Sequence, residues 1–177
     1  MRRGLLLERA RPGGDLSALP DAQATEIGVA VALRLWRPAG EPFRWIGDWV
    51  PRWLDEAEGS GMTDPELLAT ARELYASLAI DRLTLIHGDL HHHNILDAGG
   101  RWVAVDPKEM LGEPDFDVPP FLWNPIESDM RPREAERRLA AFACAGLDQE
   151  RMRAWAVIRG AYLGINGNDA EVLRALI

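Results

Sequence analysis

This chain has almost no cysteine, almost no lysine, and no histidine outside one short stretch. A single cysteine, Cys144, excludes an internal disulfide, and no apolar leader core is seen near the N-terminus, so the expected compartment is the cytoplasm. No apolar run reaches membrane-spanning length. The chain also lacks a cationic balance: its net charge of −8 argues against a nucleic-acid partner and against an anionic membrane surface. That sign suits a cationic small molecule instead. Lys108 is the only lysine among twenty basic residues, an imbalance that reads as the codon bias of a GC-rich bacterium. All four histidines fall between His87 and His93. At 177 residues the chain suits one domain with a sizeable core.

What is present gathers around those histidines. The apolar stretch Leu83–Ile86 runs into His87-Gly88-Asp89-Leu90-His91-His92-His93-Asn94, and a second apolar stretch, Trp102–Val105, delivers Asp106. Two carboxylates and an amide thus stand at strand ends around one mouth, the convergence of polar groups that a catalytic site requires. Asp89 and Asn94 are five positions apart, the interval of the kinase catalytic loop, in which the aspartate accepts the proton of the attacking hydroxyl and the asparagine holds magnesium. Asp106 supplies the second hard oxygen ligand that a magnesium–phosphate site needs.

The loop reads His-Gly-Asp, and in that form it resembles the aminoglycoside phosphotransferases. The run Asp106-Pro107-Lys108 followed by Gly112-Glu113-Pro114-Asp115-Phe116-Asp117 is similar to the pattern of the streptomycin 6-kinase and hydroxyurea-resistance kinase branch. The resemblance implies ATP-dependent phosphorylation of a hydroxyl on a small polar or cationic molecule. Asp89 would be the catalytic base, with Asn94 and Asp106 holding Mg2+. It implies a fold that is mainly α with a small β-hairpin, the C-terminal lobe of a protein-kinase-like architecture without its N-terminal lobe. Residues 1–14 would be a remnant strand and hinge, with the Glu8 carbonyl and Ala10 amide meeting adenine, and residues 15–177 the helical catalytic lobe. Asp117 would brace the loop or receive a substrate amine, bracing being favoured. Glu109, Asp115 and Trp123 are further candidates to line the substrate pocket.

The resemblance covers nearly all of this chain but only the C-terminal part of a kinase. No G-x-G-x-x-G is present, and Lys108 lies too far along to be the strand lysine of a kinase. The expectation is therefore a chain that folds yet is weakly active or inactive alone, with the strand Leu5–Leu7 offering an unpaired edge for self-association. A non-catalytic lobe that binds a ligand or partner is the main alternative. A metal-dependent hydrolase built on His87, Asp89 and His91 ranks lower, because such sites draw further ligands from distant loops and no other histidine exists. His87 reads as a scaffold residue bonded to the loop backbone, and His91, His92 and His93 as partly solvated spacers.

The flanking sequence reads as helices. Asp21–Trp36 carries an apolar face of Ile27, Ala30, Val31 and Leu35. Trp45, Trp49 and Trp53 recur at four-residue spacing in an irregular stretch that Pro51 bends or divides, and their bulk reads as core packing. Thr63-Asp64-Pro65-Glu66 opens the strongest helix, with Thr63 as its cap and Glu66 closing a capping box. This helix is expected at the centre of the lobe. The stretch from Asn94 to Asp106 reads as a hairpin turning at residues 97–100. A helix beginning at Pro119, two amphipathic helices over Arg133–Ala145 and Asp148–Leu163, and a last one over Asp169–Ile177 complete the chain.

Overall fold

A computed structural model describes residues 7–80, 84–125, 132–165 and 167–176. The elements run in the order α1 (Asp21–Leu35), β1 (Arg37–Pro38), β2 (Arg44–Trp45), α2 (Ile46–Ser60), α3 (Pro65–Ser77), β3 (Thr84–Ile86), β4 (Ile95–Asp97), β5 (Trp102–Ala104), β6 (Met110–Gly112), α4 (Pro119–Trp123), α5 (Pro132–Cys144), α6 (Gln149–Tyr162) and α7 (Gly167–Arg174). Most of the described backbone is helical, with two small sheets. No helix among the described residues is long and apolar enough to cross a membrane.

The hairpin forms as its turn chemistry requires. β4 and β5 pair antiparallel with Ile95 opposite Ala104, and Gly99 and Gly100 take the positive φ of the turn. A second sheet, of order β1-β3-β6-β2, was not legible in advance. Its outer strands are only two residues long, too short to show any alternation. Residues 44–60 also differ from expectation, forming β2 and then one continuous helix. Pro51 sits inside α2 and cannot donate to the Gly47 carbonyl four residues back; the Tyr75 hydroxyl donates to that carbonyl instead, at 3.3 Å.

At the start of α3 the cap is Asp64 rather than Thr63. The Asp64 carboxylate accepts from the Glu66 and Leu67 amides, Pro65 takes the first turn, and the Thr63 hydroxyl donates to the Ala161 carbonyl at 2.8 Å. α3 buries one face through Leu67, Leu68 and Ala71. The centre belongs to α6, read from sequence as amphipathic but buried from Met152 to Ala161 with the single exception of Arg153. Met152 and Ala156 join a core with Leu90, Ile95, Phe121 and Phe142, while Trp155, Val157 and Ile158 join another with Ile46, Leu54, Ile86 and Phe116. α6 is the wall between them, which explains why its apolar residues surround it.

In α1 the buried side is Ala24, Thr25, Gly28, Val31 and Ala32, so Ala30, expected inward, is exposed. Leu5 and Leu6 of the expected N-terminal strand lie outside the described residues, as do Leu83 of the β3 stretch and Ile177. Leu7 to Ala10 are irregular, and Leu7 is 70% exposed.

Candidate active site

The β3 strand ends at Ile86, and the chain then enters a loop whose first three residues have every backbone polar group held. The His87 amide donates to Asp117 Oδ2 at 2.7 Å and the Gly88 amide to Asp117 Oδ1 at 2.6 Å. The Asp89 amide donates to His87 Nδ1 at 3.3 Å. On the carbonyl side, His87 accepts from the Lys108 amide at 2.7 Å, Gly88 from Arg159 Nη2 at 3.0 Å, and Asp89 from Asn94 Nδ2 at 2.9 Å. Six donors and acceptors over three residues are thus all matched. The carboxylate of Asp89 is left over. One-third exposed, it has no hydrogen bond among the described residues, and His91 Nε2 stands 3.8 Å away.

The sequence allows this loop through Gly88. Its φ of +81° belongs to the left-handed region, and a Cβ there would stand 2.9 Å from Lys108 Cβ. His87 carries the scaffold role expected of it: Nε2 donates to the Val105 carbonyl at 2.9 Å while Nδ1 accepts, which fixes the neutral tautomer and ties the loop to the end of β5. Asp117 is fully buried and braces the loop, with Trp36 Nε1 as a third donor at 2.9 Å. Burial pushes its carboxyl pKa up, and the donors oppose that rise.

The other two sites of the expected constellation differ in exposure. Asn94 is buried, its side-chain nitrogen 3.1 Å from His91 Nε2 as well as bonded to Asp89. Asp106 follows β5 with φ +56° and is 72% exposed. Its Oδ2 accepts from Lys108 Nζ at 2.9 Å, and this contact holds its carboxyl below the ordinary range. Two hard oxygen donors, an amide and a carboxylate, are a donor set suited to magnesium with its remaining shell left to water and phosphate. Among the described residues no group of three His, Cys, Asp or Glu side chains is placed to hold a metal, and His87 has both ring nitrogens committed. The His87–Asp89–His91 hydrolase arrangement has no such geometry.

Asp89, Asp106 and Glu109 open onto a cleft of about 1060 Å³. Its far wall is aromatic: Phe43, Trp49 and Trp53 from the β2–α2 region, and Tyr162 from the end of α6. The core reading of the tryptophans holds in part: Trp49 and Trp53 pack against the core of Ile46, Val50 and Leu54 and also line the cleft, whereas Trp45 is exposed. The buried stripe of α2 is Ile46, Val50, Leu54 and Ala57, and Trp49 and Trp53 flank it half-buried, facing the cleft. Arg44 and Arg52 lie over the Trp49 ring, at 5.0 and 5.6 Å from its centroid. Arg159 was also missed. It is 5% exposed, lies 4.3 Å over the Phe116 ring, and reaches the loop at Gly88. Its signal was a lone cation inside the otherwise apolar run from Trp155 to Ala161.

The remaining candidates lie elsewhere. Asp115 does not line the cleft; it is buried at the start of α6, accepts from the Asp148 amide at 3.1 Å, and burial raises its pKa. Trp123 packs half-buried against the core around Phe121. Glu8 is exposed and pairs with Arg101 at 2.9 Å beside the hairpin turn, and neither it nor Ala10 lines the cleft. His92, read as a solvated spacer, is 2% exposed and stacked 4.1 Å from Phe121. Burial brings its pKa down to about 3, with Arg138 adding to the effect. His93 Nδ1 lies 3.0 Å from Asp15 Oδ2, and burial lowers the pKa of His91.

A model of the aminoglycoside/hydroxyurea antibiotic resistance kinase family matches residues 2–169. The chain is 34% identical over 169 residues to a streptomycin 3''-kinase of Klebsiella pneumoniae, covering 86% of this chain and 62% of that one. It is 36% identical over 171 residues to a hydroxyurea phosphotransferase of Kitasatospora aureofaciens, covering 88% and 48%. A streptomycin 6-kinase of Streptomyces griseus is 30% identical over 172 residues, covering 88% and 55%. The chain thus spans about half to three-fifths of the length of these relatives. Among solved structures, a choline/ethanolamine kinase family protein from Mesorhizobium loti aligns with a TM-score of 0.46 at 18% identity, covering 91% of this chain and 67% of that one. The chain belongs to the aminoglycoside/hydroxyurea antibiotic resistance kinase family.

Proposed function

We propose that this family member carries the base, the metal ligands and the substrate wall of an ATP-dependent phosphotransferase acting on a hydroxyl of a small, polar, cationic molecule of the aminoglycoside kind. The observation that carries the reading is the Asp89 carboxylate, left without a hydrogen bond among the described residues at the cleft while the backbone of residues 87–89 around it is fully bonded. A base so placed needs no reorganisation before it meets a hydroxyl. Asp89 accepts the hydroxyl's hydrogen bond, orients its oxygen, and takes the proton as the new bond forms.

Magnesium, when bound, supplies positive charge to the transferring phosphoryl oxygens. Asn94 and Asp106 are the residues that would hold it. Asn94 steadies the base as well, through the Asp89 carbonyl. Asp89, Glu109 and Glu56 give the cleft an acidic rim for a cationic substrate, and Trp53 and Tyr162 line it beside them. Residues 1–14 are assigned to the nucleotide side, where Gly13 and Gly14 bond to Asp97 of the hairpin. A covering lobe from outside these 177 residues completes the phosphate site, so the isolated chain binds MgATP only in the millimolar range or weaker.

The test is Asp89→Asn in a protein of the relatives' full length, assayed for phosphate transfer to streptomycin. Loss on the order of a hundredfold or more with an unchanged melting temperature is expected. Near-normal turnover would remove Asp89 from the mechanism. Micromolar MgATP binding by residues 1–177, measured by calorimetry, would remove the dependence on a covering lobe.

A further inference from the structure

Lys108 is the only lysine of the chain, and its backbone is fixed against the catalytic loop by the bond to the His87 carbonyl and the tight approach to Gly88. Its side chain is half-exposed and lines the cleft with Asp89, Asp106 and Glu109. One ammonium therefore stands among three carboxylates. It is bonded to Asp106, the carboxylate that the metal reading requires.

We infer that Lys108 is the resident counter-ion of Asp106, displaced when a divalent cation takes that carboxylate, and that the released ammonium then serves as a donor to phosphate oxygens at the cleft mouth. The inference rests on the assignment of Asn94 and Asp106 as metal ligands. Oδ2 of Asp106 cannot be held closely by an ammonium and a magnesium ion together without like charges meeting. Because the pair is exposed, its attraction is modest, and a divalent ion can replace the lysine. Once released, Nζ stands in a cleft that Asp89 and Glu109 line together with Arg44 and Arg159. An oxygen of a phosphate entering with the metal competes with those two carboxylates for the ammonium. In the metal-free chain the same lysine keeps three carboxylates from facing one another uncompensated.

The single lysine makes the test direct. Protein labelled with 13C-lysine gives one lysine side-chain resonance set, read in a magnesium titration of residues 1–177. The Cε–Hε signal is expected to shift and narrow as Mg2+ is added, to shift again with inorganic pyrophosphate, and to respond to neither in Asp106→Asn. Alongside it, Mn2+ binding followed by electron paramagnetic resonance should be about fivefold tighter in Lys108→Met than in the native chain, with Lys108→Arg close to native. A lysine signal indifferent to Mg2+ while Mn2+ binds, or an unchanged Mn2+ affinity in Lys108→Met, overturns the displacement. A signal that moves with Mg2+ but not with pyrophosphate overturns the second role of the ammonium. Absence of Mn2+ binding in every form, the native chain included, overturns the metal-ligand reading and this inference together.

Discussion

The two sides of the cleft mouth are built in opposite ways. On one side, residues 87–94 are secured from behind: Asp117, itself held by Trp36, together with Arg159 and Val105, bonds to the loop from the interior, and His92 anchors it on Phe121. On the other side, Asp106 and Lys108 hold each other from the front, in solvent. On the proposed reading, the side that presents the base has its tolerance removed by buried bonds, and the side that exchanges partners is held by a contact that water weakens. Precision and exchange are, on that reading, separated along about twenty residues of chain, with burial as the variable that separates them.

The largest effect that would break this contrast is expected at Asp117. Asp117→Ala leaves two loop amides and the Trp36 indole N–H without an acceptor in a dry site, and urea unfolding should show a loss of about 3–5 kcal/mol. A loss below 1 kcal/mol would mean that water enters behind the loop. The next effect is a pH response. Unfolding frees the His92 ring to take up a proton near its ordinary pKa of 6.5, whereas the folded ring waits until about 3. The unfolded state therefore binds more protons across that window, and stability falls as pH drops through it, by about 1.4 kcal/mol per unit. Comparing wild type with His92→Phe in urea at pH 7 and pH 4 should show about 3 kcal/mol more acid loss in wild type. Equal losses would place the ring in water.

A smaller change is expected from Gly88→Ala. The left-handed backbone and the contact with Lys108 should lower stability by about 1–2 kcal/mol in a thermal melt, with Lys108→Gly recovering part of it. The smallest comes from the front side: Lys108→Met should leave the urea midpoint where it was. A clear drop there would show that the exposed pair is structural, and the contrast between the two sides would fail.

The loop, the hairpin and the carboxylate positions were legible because each is written locally. Asp89, Asn94 and Asp106 are fixed by spacing, and Asp97 to Gly100 by turn chemistry. The aromatic wall was visible as a tryptophan repeat and read as core, which Trp49 and Trp53 touch; their second face, on the cleft, was not legible. The repeat of Ile46, Val50 and Leu54, displaced from it by one residue, has the same period, and period alone does not say which of two adjacent stripes faces the core. His92 was misjudged for a related reason: three consecutive histidines look alike, and only Phe121, distant in sequence, distinguishes the middle one. Asp115 and Trp123 sit close to the site in sequence, yet the turn through Asp117 and α4 carries them to the rear. The outer strands of the larger sheet were illegible because their pairing partners supply all of their order.

The position of α6 carries a consequence for how the molecule comes apart. Because its residues belong to both hydrophobic cores, neither core can be exposed without dismantling the helix that the other rests on. The chain is therefore expected to open as a single cooperative unit, with the amides of Trp155 to Ile158 exchanging with deuterium only through global unfolding. Arg159 sits on the same helix and donates to the Gly88 carbonyl, so the loop at residues 87–89 is tied to the element expected to open last.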